Sequence, residues 1–519
     1  MTTPFLTLKS LYTSALARFG DRCALTMGGQ SLSYEELQRG SFRVGNALID
    51  FGVTPGTRVA LAMTNCLEFA VAAQGLIQAG ATRIALNSML SDDEVLYILA
   101  DSQTRVAIID AQRFDLISRH RHQLPELEYV VALAPAADCP EGMVPWDDFL
   151  ASGKPEYTAV NVSPDDLAFI PYTGGTTGKP KGVLHNHRNI CLNLFSHQME
   201  LALQDDERIL ITSPLPHAAG SLLMVGLLKG ATHYIEPGFD PATVIRRISE
   251  DKVTLGFMVP TMIYRLLDWL EANPEPRPNL SSLRTMLYGA APITVERLTQ
   301  GLETFGPVFV QAYGQSEAPN FITRLRREDH DPAHPERLLS CGQAVTMGQV
   351  RIIDENGVTV PVGESGEVAA RTPYNMLGYH GLPEKSAETL VDGWLLTGDI
   401  GRMDADGYLY LLDRKNDMII SGGMNVYTSE VENALQPYPG VGQVAVVGLP
   451  DPDWGEAVTA FVVPDAGMDL DTADLLRHCK ETLSKYKVPK NIHLVDSLPL
   501  TAYGKLDKKT LRQQWSSRS

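Results

Sequence analysis

Short apolar runs rich in β-branched residues alternate with helical patterns along most of this 519-residue chain. Arg58–Met63 precedes an apolar helical stretch, Leu67–Ala79, and Val106–Asp110 follows a helical pattern over Glu94–Leu99. Arg208–Thr212 precedes a Gly/Leu-rich stretch, and Val253–Val259 precedes a helical pattern over Met262–Leu270. Strands separated by helices must be joined by crossovers, and crossovers make parallel neighbours. The alternation therefore predicts an α/β fold with largely parallel sheets. A chain of this length exceeds one hydrophobic core, so two or more domains are expected.

After about Val350 the pattern changes. Short strands, frequent glycines and the turns Asn356-Gly357 and Asp406-Gly407 predict an antiparallel, barrel-like region. From Met418 onward the pattern is compact α+β. It predicts a helix over Ser429–Gln436, strands over Val441–Val447 and Val458–Val463, and a helix over Thr472–Ser484. The charged segment Asp413–Asp417 is placed as the boundary between residues 1–413 and 414–519.

Composition excludes several classes. The formal charge of −18 argues against a general nucleic-acid binder, which needs a basic face for phosphate contacts. No apolar run is long enough to span a bilayer, and Met1–Gly20 lacks the pattern of a secretory signal. The six cysteines are far apart with no Cys-x-x-Cys pair, which points to thiols in a reducing compartment and a cytoplasmic location.

The run Tyr172–Gly182 is the densest chemical signal. It holds four glycines, three threonines and two lysines in eleven residues. Glycines bring backbone N–H groups against an anion, and hydroxyls and ammoniums add donors. The run does not fit the Walker loop: the spacer from Gly174 to Gly178-Lys179 is one residue short, and Pro180 replaces the Ser/Thr that would meet magnesium. Taken alone, the stretch fits a flexible surface loop equally well.

Five further constellations follow in order. They are Leu287–Pro292, Gln311–Glu317, Trp394–Asp399, Asp413–Asp417 and Leu500–Asp507. With the loop, they resemble the adenylate-forming superfamily, in its acyl-CoA synthetase branch, over nearly the whole chain. The resemblance implies a large N-terminal domain of two doubly wound sheet subdomains and a distorted β-barrel. A small, mobile α+β C-terminal domain would follow, hinged near Asn416. It also implies ATP, Mg2+ and coenzyme A as cofactors, and a monomer or homodimer.

The residues carry matching chemistry. Thr173, Gly174, Gly175, Thr176, Thr177, Gly178 and Lys179 would cradle the phosphates. Gly289 and Ala290 lack bulk, so a planar base can approach the backbone. Tyr313 can stack on a purine, although a tyrosine there also suits a core; Gly314 and Ser316 share its motif. Glu317 is a hard oxygen ligand suited to magnesium on the phosphates. Asp399 can accept ribose hydroxyls, and Arg414 adds a charged contact. By resemblance, Lys505 enters the active site during adenylation and neutralises charge between the substrate carboxylate and the α-phosphate. By position alone it would be a solvated lysine.

A thiol acceptor is expected next. Gly422 and Gly423 lack side chains and can line a narrow pantetheine tunnel, or form a simple turn. Tyr486 and Lys490, in Lys485–Lys490, match the family's CoA contacts and suit an adenine and its phosphates. No carrier domain follows residue 519, which favours a free thiol. The stretch after Pro214-Leu215-Pro216-His217 has no acidic residue to hold an ammonium, so the expected substrate is a fatty, aryl or cyclic carboxylic acid without an α-amino group. His217 can cap the carboxylate end of its pocket or be a satisfied core histidine, and Ala218, Ala219 and Gly220 leave room beside it.

The chain departs from the family at Gly174, where serine is usual, and at Met89, where many CoA ligases have an arginine near the CoA phosphate. Met89 keeps open a stand-alone ligase that loads an acyl carrier protein. From another class, a non-catalytic nucleotide-binding module would be expected to lack Lys505 or Glu317, and both are present.

Overall fold

The computed structural model describes residues 6–173, 179–465, 467–500 and 506–516. Contact density divides the chain into two units. One holds the described residues of Met1–Gly174, Lys179–Val350 and Ala370–Leu395; the other holds those of Arg351–Ala369 and Leu396–Ser519.

The first unit holds two sheets, and the expected alternation builds both. In one, Arg58–Ala62 lies between parallel neighbours Thr82–Ala85 and Val106–Ile109, and Tyr129–Ala132 extends the parallel order. Leu167–Phe169 joins in parallel through Arg83↔Phe169, and Lys181–Asn186 then runs antiparallel to it. In the other, Arg208–Ile211 lies between Thr232–Ile235 and Leu255–Met258, and Thr285–Gly289 and Phe309–Gln315 continue in parallel. Ala318–Leu325 folds back antiparallel on Phe309–Gln315, with an irregular register between Tyr313 and Gln315. This fold-back turn carries Ser316 and Glu317.

Helices form where the sequence caps them. Asp92–Asp101 starts at a reciprocal capping box: Ser91 accepts from the Glu94 N–H, and the Glu94 carboxylate accepts from the Ser91 N–H at 2.9 Å. His187–Leu201 starts at Asn186, whose Oδ1 accepts the Asn189 N–H at 2.9 Å. That helix is unusual in its buried polar content, with Asn189, Asn193, Ser196, His197 and Glu200 all under 5% exposed.

Among the described residues, His185, His187, His197, His233 and His330 are buried, and burial lowers each from the usual 6.5 to about 4. The unfolded chain therefore binds more protons than the folded one below pH 6.5. These groups stabilise the fold fully above that pH, and the contribution is lost as pH falls towards 4. Each can change stability by up to about 1.4 kcal/mol per pH unit within that window. The urea midpoint is expected to fall steeply from about pH 7 to 4.5; a flat profile would contradict neutral burial.

In the second unit, Asp399–Met403 pairs antiparallel with Leu409–Arg414 across the expected turn at Gly407, where φ is +83°. Further on, Val441–Asp451 and Gly455–Pro464 form one long hairpin, with Asn491–Leu494 parallel beside it. The sequence marked only the apolar centres of these strands. The structure extends both through Pro450 and Glu456, because cross-strand pairing carries the ladder past the hydrophobic run. Helices Thr428–Leu435 and Thr472–Thr482 pack on this sheet. Asn416 is exposed and lies within this unit. No helix among the described residues is long and apolar enough to cross a membrane.

Candidate active site

The ends of the Gly/Thr/Lys loop are pinned together. Tyr172-Thr173 pairs antiparallel with Lys181-Gly182. Tyr172 also donates its hydroxyl to Asp101 Oδ2 at 2.6 Å, and burial followed by this bond pushes its pKa up. Gly174, Gly175, Thr176, Thr177 and Gly178 lie outside the described residues. Of the flanking lysines, Lys179 Nζ lies 5.0 Å from the Tyr97 ring centre and Lys181 Nζ lies 4.8 Å from that of Tyr379.

The fold-back turn is held at several points. Tyr313 is 8% exposed, on the strand that leads into the turn. A side-chain carbon on Gly314 would lie 2.5 Å from the Asn320 carbonyl carbon, so the turn closes only over glycine. Ser316 offers its carbonyl to His185 Nε2 at 2.8 Å. Glu317 is 9% exposed; its backbone carbonyl accepts the Met376 N–H at 2.7 Å and its Oε1 accepts the Tyr379 hydroxyl at 2.7 Å. The helix His187–Leu201 holds the next residues: Asn193 Nδ2 donates to the Pro319 carbonyl at 2.7 Å, and Asn320 Nδ2 donates to His197 Nε2 at 3.0 Å.

Gly289 has a packing reason as well. On Gly289 a side-chain carbon would lie 2.3 Å from the Ala312 carbonyl oxygen. Its missing side chain admits the neighbouring strand, not only a base. Ala290, by contrast, is exposed with φ +67°, a left-handed backbone that costs free energy in a residue other than glycine and is concentrated at functional sites.

His217 precedes the helix Ala218–Lys229. Asn87 is 3% exposed; its Oδ1 accepts the Met89 N–H at 3.1 Å, so its Nδ2 faces His217 Nε2 at 2.8 Å. Nε2 is therefore an acceptor, and the imidazole is neutral with its proton on Nδ1. The small residues beside it do not simply leave room. Ala219 is 2% exposed in the core, and a side-chain carbon on Gly220 would lie 2.2 Å from the Leu215 carbonyl oxygen. Met89 is 49% exposed, on a turn that Arg113 holds through the Ser88 and Leu90 carbonyls at 2.9 and 2.7 Å.

In the second unit, Asp399 is 4% exposed and its Oδ1 meets Arg414 Nε at 2.8 Å. The two residues face each other across the strands, which accounts for the pair. Gly422 and Gly423 have φ +58° and +77° and turn the hairpin Ile419–Ser421/Met424–Val426. Two consecutive positive φ values demand glycine-like residues here. Gly422 also lies against Trp454, to whose carbonyl it donates at 2.8 Å. Lys490 Nζ sits 3.9 Å from the Trp454 ring centre. Tyr486 is half-buried against the apolar core of this region. Lys505 lies outside the described residues.

Family models of an AMP-binding enzyme and of its C-terminal domain match residues 12–380 and 430–505. The chain belongs to the AMP-binding enzyme family. Within the adenylate-forming superfamily it falls in the acyl-CoA synthetase branch. It is 39% identical to a feruloyl-CoA synthase of Amycolatopsis sp over 95% of this chain and 96% of that protein. It is 36% identical to a medium/long-chain fatty acid–CoA ligase of Mycobacterium tuberculosis over 97% of this chain and 89% of that protein. Among solved structures, it matches the amide bond synthetase McbA from Marinactinospora thermotolerans with a TM-score of 0.87 and 30% identity, covering 98% of this chain and 100% of that one.

Four residues of this AMP-binding enzyme carry no motif of their own: Asn87, His185, Tyr379 and Trp454. Only Trp454, 42% exposed, leaves a sequence trace, as a tryptophan amid polar turn residues. The donor set fits magnesium. Glu317 Oε1 is occupied by Tyr379, and Oε2 takes no hydrogen bond from the described residues. Among those residues no group of three metal-ligating side chains converges. Magnesium binds through one or two carboxylates, waters and substrate phosphates, and one available carboxylate oxygen on Glu317 fits that mode.

Proposed function

We propose that the protein uses ATP to activate a carboxylic acid without an α-amino group, forming an acyl adenylate and pyrophosphate. It then passes the acyl group to the thiol of coenzyme A and releases AMP. The observation that carries this reading is Glu317, a buried carboxylate with one oxygen engaged and the other available to a metal-bound triphosphate. The family's motifs assign Tyr313 and Ala290 to the adenine, Asp399 and Arg414 to the ribose, and the Gly/Thr/Lys loop to the β- and γ-phosphates. Magnesium, held by Glu317 when bound, supplies charge neutralisation on the phosphates.

In the first half-reaction a substrate carboxylate oxygen attacks the α-phosphorus, and the bond to the bridging oxygen breaks, releasing pyrophosphate. Neutral His217 caps the carboxylate end of the pocket, and Lys505 offsets the charge that develops. In the second, the deprotonated CoA sulfur attacks the acyl carbon and the bond to AMP breaks. Relatives that act on ferulate and on medium/long-chain fatty acids support an aryl or fatty acid here. The six free cysteines suit a cytoplasmic location.

For the acceptor, Trp454, Lys490 and Gly422 make a platform with an exposed ring, a cation and a flat backbone. We assign the CoA adenine and phosphates to it, and carry Tyr486 over as a further CoA contact from the family resemblance. Stacking on an aromatic ring is worth about 1–3 kcal/mol per base. Trp454→Ala is therefore expected to raise the KM for CoA about tenfold, with pyrophosphate exchange unchanged. An unaltered CoA KM would remove the platform.

Exposed Met89, in place of an arginine, favours a second reading, in which the adenylate is passed to a carrier-protein thiol or to an amine. The similarity to an amide bond synthetase supports the amine version. The deciding experiment is a panel of fatty, aryl and cyclic acids assayed for pyrophosphate release. AMP release is then followed with CoA, with an amine and with a carrier protein. Silence across the panel would overturn the enzyme reading; AMP release only with an amine or carrier would overturn CoA.

A further inference from the structure

Glu317 is gripped from two directions. Tyr379 donates to its carboxylate at Oε1 across 62 positions of sequence. His185 Nε2 donates to the Ser316 carbonyl, at the peptide that leads into Glu317, across 131 positions. A carbonyl oxygen only accepts, so Nε2 carries the His185 proton. Nδ1 is then the acceptor, and Asn189 Nδ2 donates to it at 3.3 Å. Asn189 Nδ2 also donates to the Asn375 carbonyl at 3.1 Å, which ties this chain of bonds to the segment that delivers Tyr379.

One strand links the two grips: it carries His185 and pairs with the strand that carries Tyr379. Lys181–Asn186 begins directly after the Gly/Thr/Lys loop and carries His185. It pairs antiparallel with Gly378-Tyr379 through Val183↔Tyr379. The strand that leaves the phosphate loop therefore sets both the peptide and the carboxylate of Glu317.

We propose that Tyr379 and His185 are positioning residues for Glu317, which fix its carboxylate to receive the metal ion of metal–ATP. This rests on the reading of Glu317 as the metal ligand. With Oε1 occupied by Tyr379, Oε2 is the oxygen presented. Without Tyr379 the carboxylate is free to rotate and its two oxygens become equivalent. Without His185 the Ser316 carbonyl loses its donor, and the turn that carries Glu317 is no longer fixed at that peptide. Groups that orient a metal-binding carboxylate typically matter 10–100-fold in metal affinity or activity.

The test is equilibrium binding of Mn2+ in the presence of a non-hydrolysable ATP analogue, followed by the paramagnetic resonance of free Mn2+. Analogue binding without metal is measured alongside. Tyr379→Phe and His185→Leu are each expected to weaken Mn2+ binding about tenfold or more, with metal-free analogue affinity unchanged. His185→Gln, whose side-chain amide can reach the same carbonyl, is expected to restore it. Glu317→Gln separates the two ideas. If Glu317→Gln loses Mn2+ but Tyr379→Phe and His185→Leu bind as wild type, the positioning roles are overturned and the metal reading stands. If Glu317→Gln itself binds Mn2+ as wild type, the metal reading fails and the proposal with it. Equal losses with and without metal would show a merely structural role and overturn the proposal. Should His185→Leu not fold, Tyr379→Phe and His185→Gln decide alone.

Discussion

Lys505→Ala is expected to slow acyl-adenylate formation about a hundredfold or more while ATP still binds, because a preorganised charge that acts only in the transition state contributes little to ground-state affinity. Lys505 follows the last apolar strand region, in Leu500–Asp507. Its neighbours in the sequence are anchored: Leu500 and Leu506 pair as an antiparallel bridge, and the Asp507 N–H donates to the Pro499 carbonyl at 2.8 Å. Just beyond, Lys508 Nζ meets Glu432 Oε1 at 2.7 Å and Arg512 meets Asp417 Oδ1 at 2.7 Å. The measurement is acid-dependent pyrophosphate exchange, together with ATP affinity by calorimetry. A near-wild-type exchange rate would remove Lys505 from the chemistry. A matching loss of ATP affinity would make it a binding residue instead.

Glu200→Ala is the largest effect expected on stability. Its side chain is 2% exposed; Oε2 lies 3.2 Å from Arg324 Nε, and Oε1 accepts the Thr346 N–H at 2.8 Å. Arg324 also donates to the Glu200 backbone carbonyl, so both ends of the pair are engaged. Truncation leaves a mostly buried guanidinium without its carboxylate, and breaking such a pair costs about 3–5 kcal/mol. Glu200 lies in the last turn of the helix that carries Asn189, Asn193 and His197, and Arg324 lies on the strand leaving the Ser316-Glu317 turn. The substitution should therefore lower the denaturation midpoint and loosen the site together. Urea unfolding reads the first, and a change below about 1 kcal/mol would show that the pair is offset by its own desolvation.

The motifs located most of the site but did not explain it. Gly289, Gly314 and Gly422 stood out as glycines, and a glycine beside a nucleotide motif invites the reading that a ligand needs the space. At Gly289 and Gly314 the protein's own backbone occupies that space, and at Gly422 a positive φ and the Trp454 ring account for the residue. His217 was legible as a histidine before a small-residue helix. Its protonation was not, because that depends on which way Asn87 turns its amide, and the Met89 N–H decides it.

By itself, the sequence determined the alternating α/β plan, the antiparallel change after Val350 and the family. Each rests on periodicity, turn residues or motif order, which are properties of neighbouring positions. Only the tertiary structure decided what holds the functional groups. Tyr379 reaches Glu317 across 62 positions, Asn87 reaches His217 across 130, and His185 reaches Ser316 across 131. Such bonds leave no local pattern. They form because chain packing brings distant polar groups together, and the buried member of each pair, Glu317, Asn87 or His185, must find its partner inside the protein.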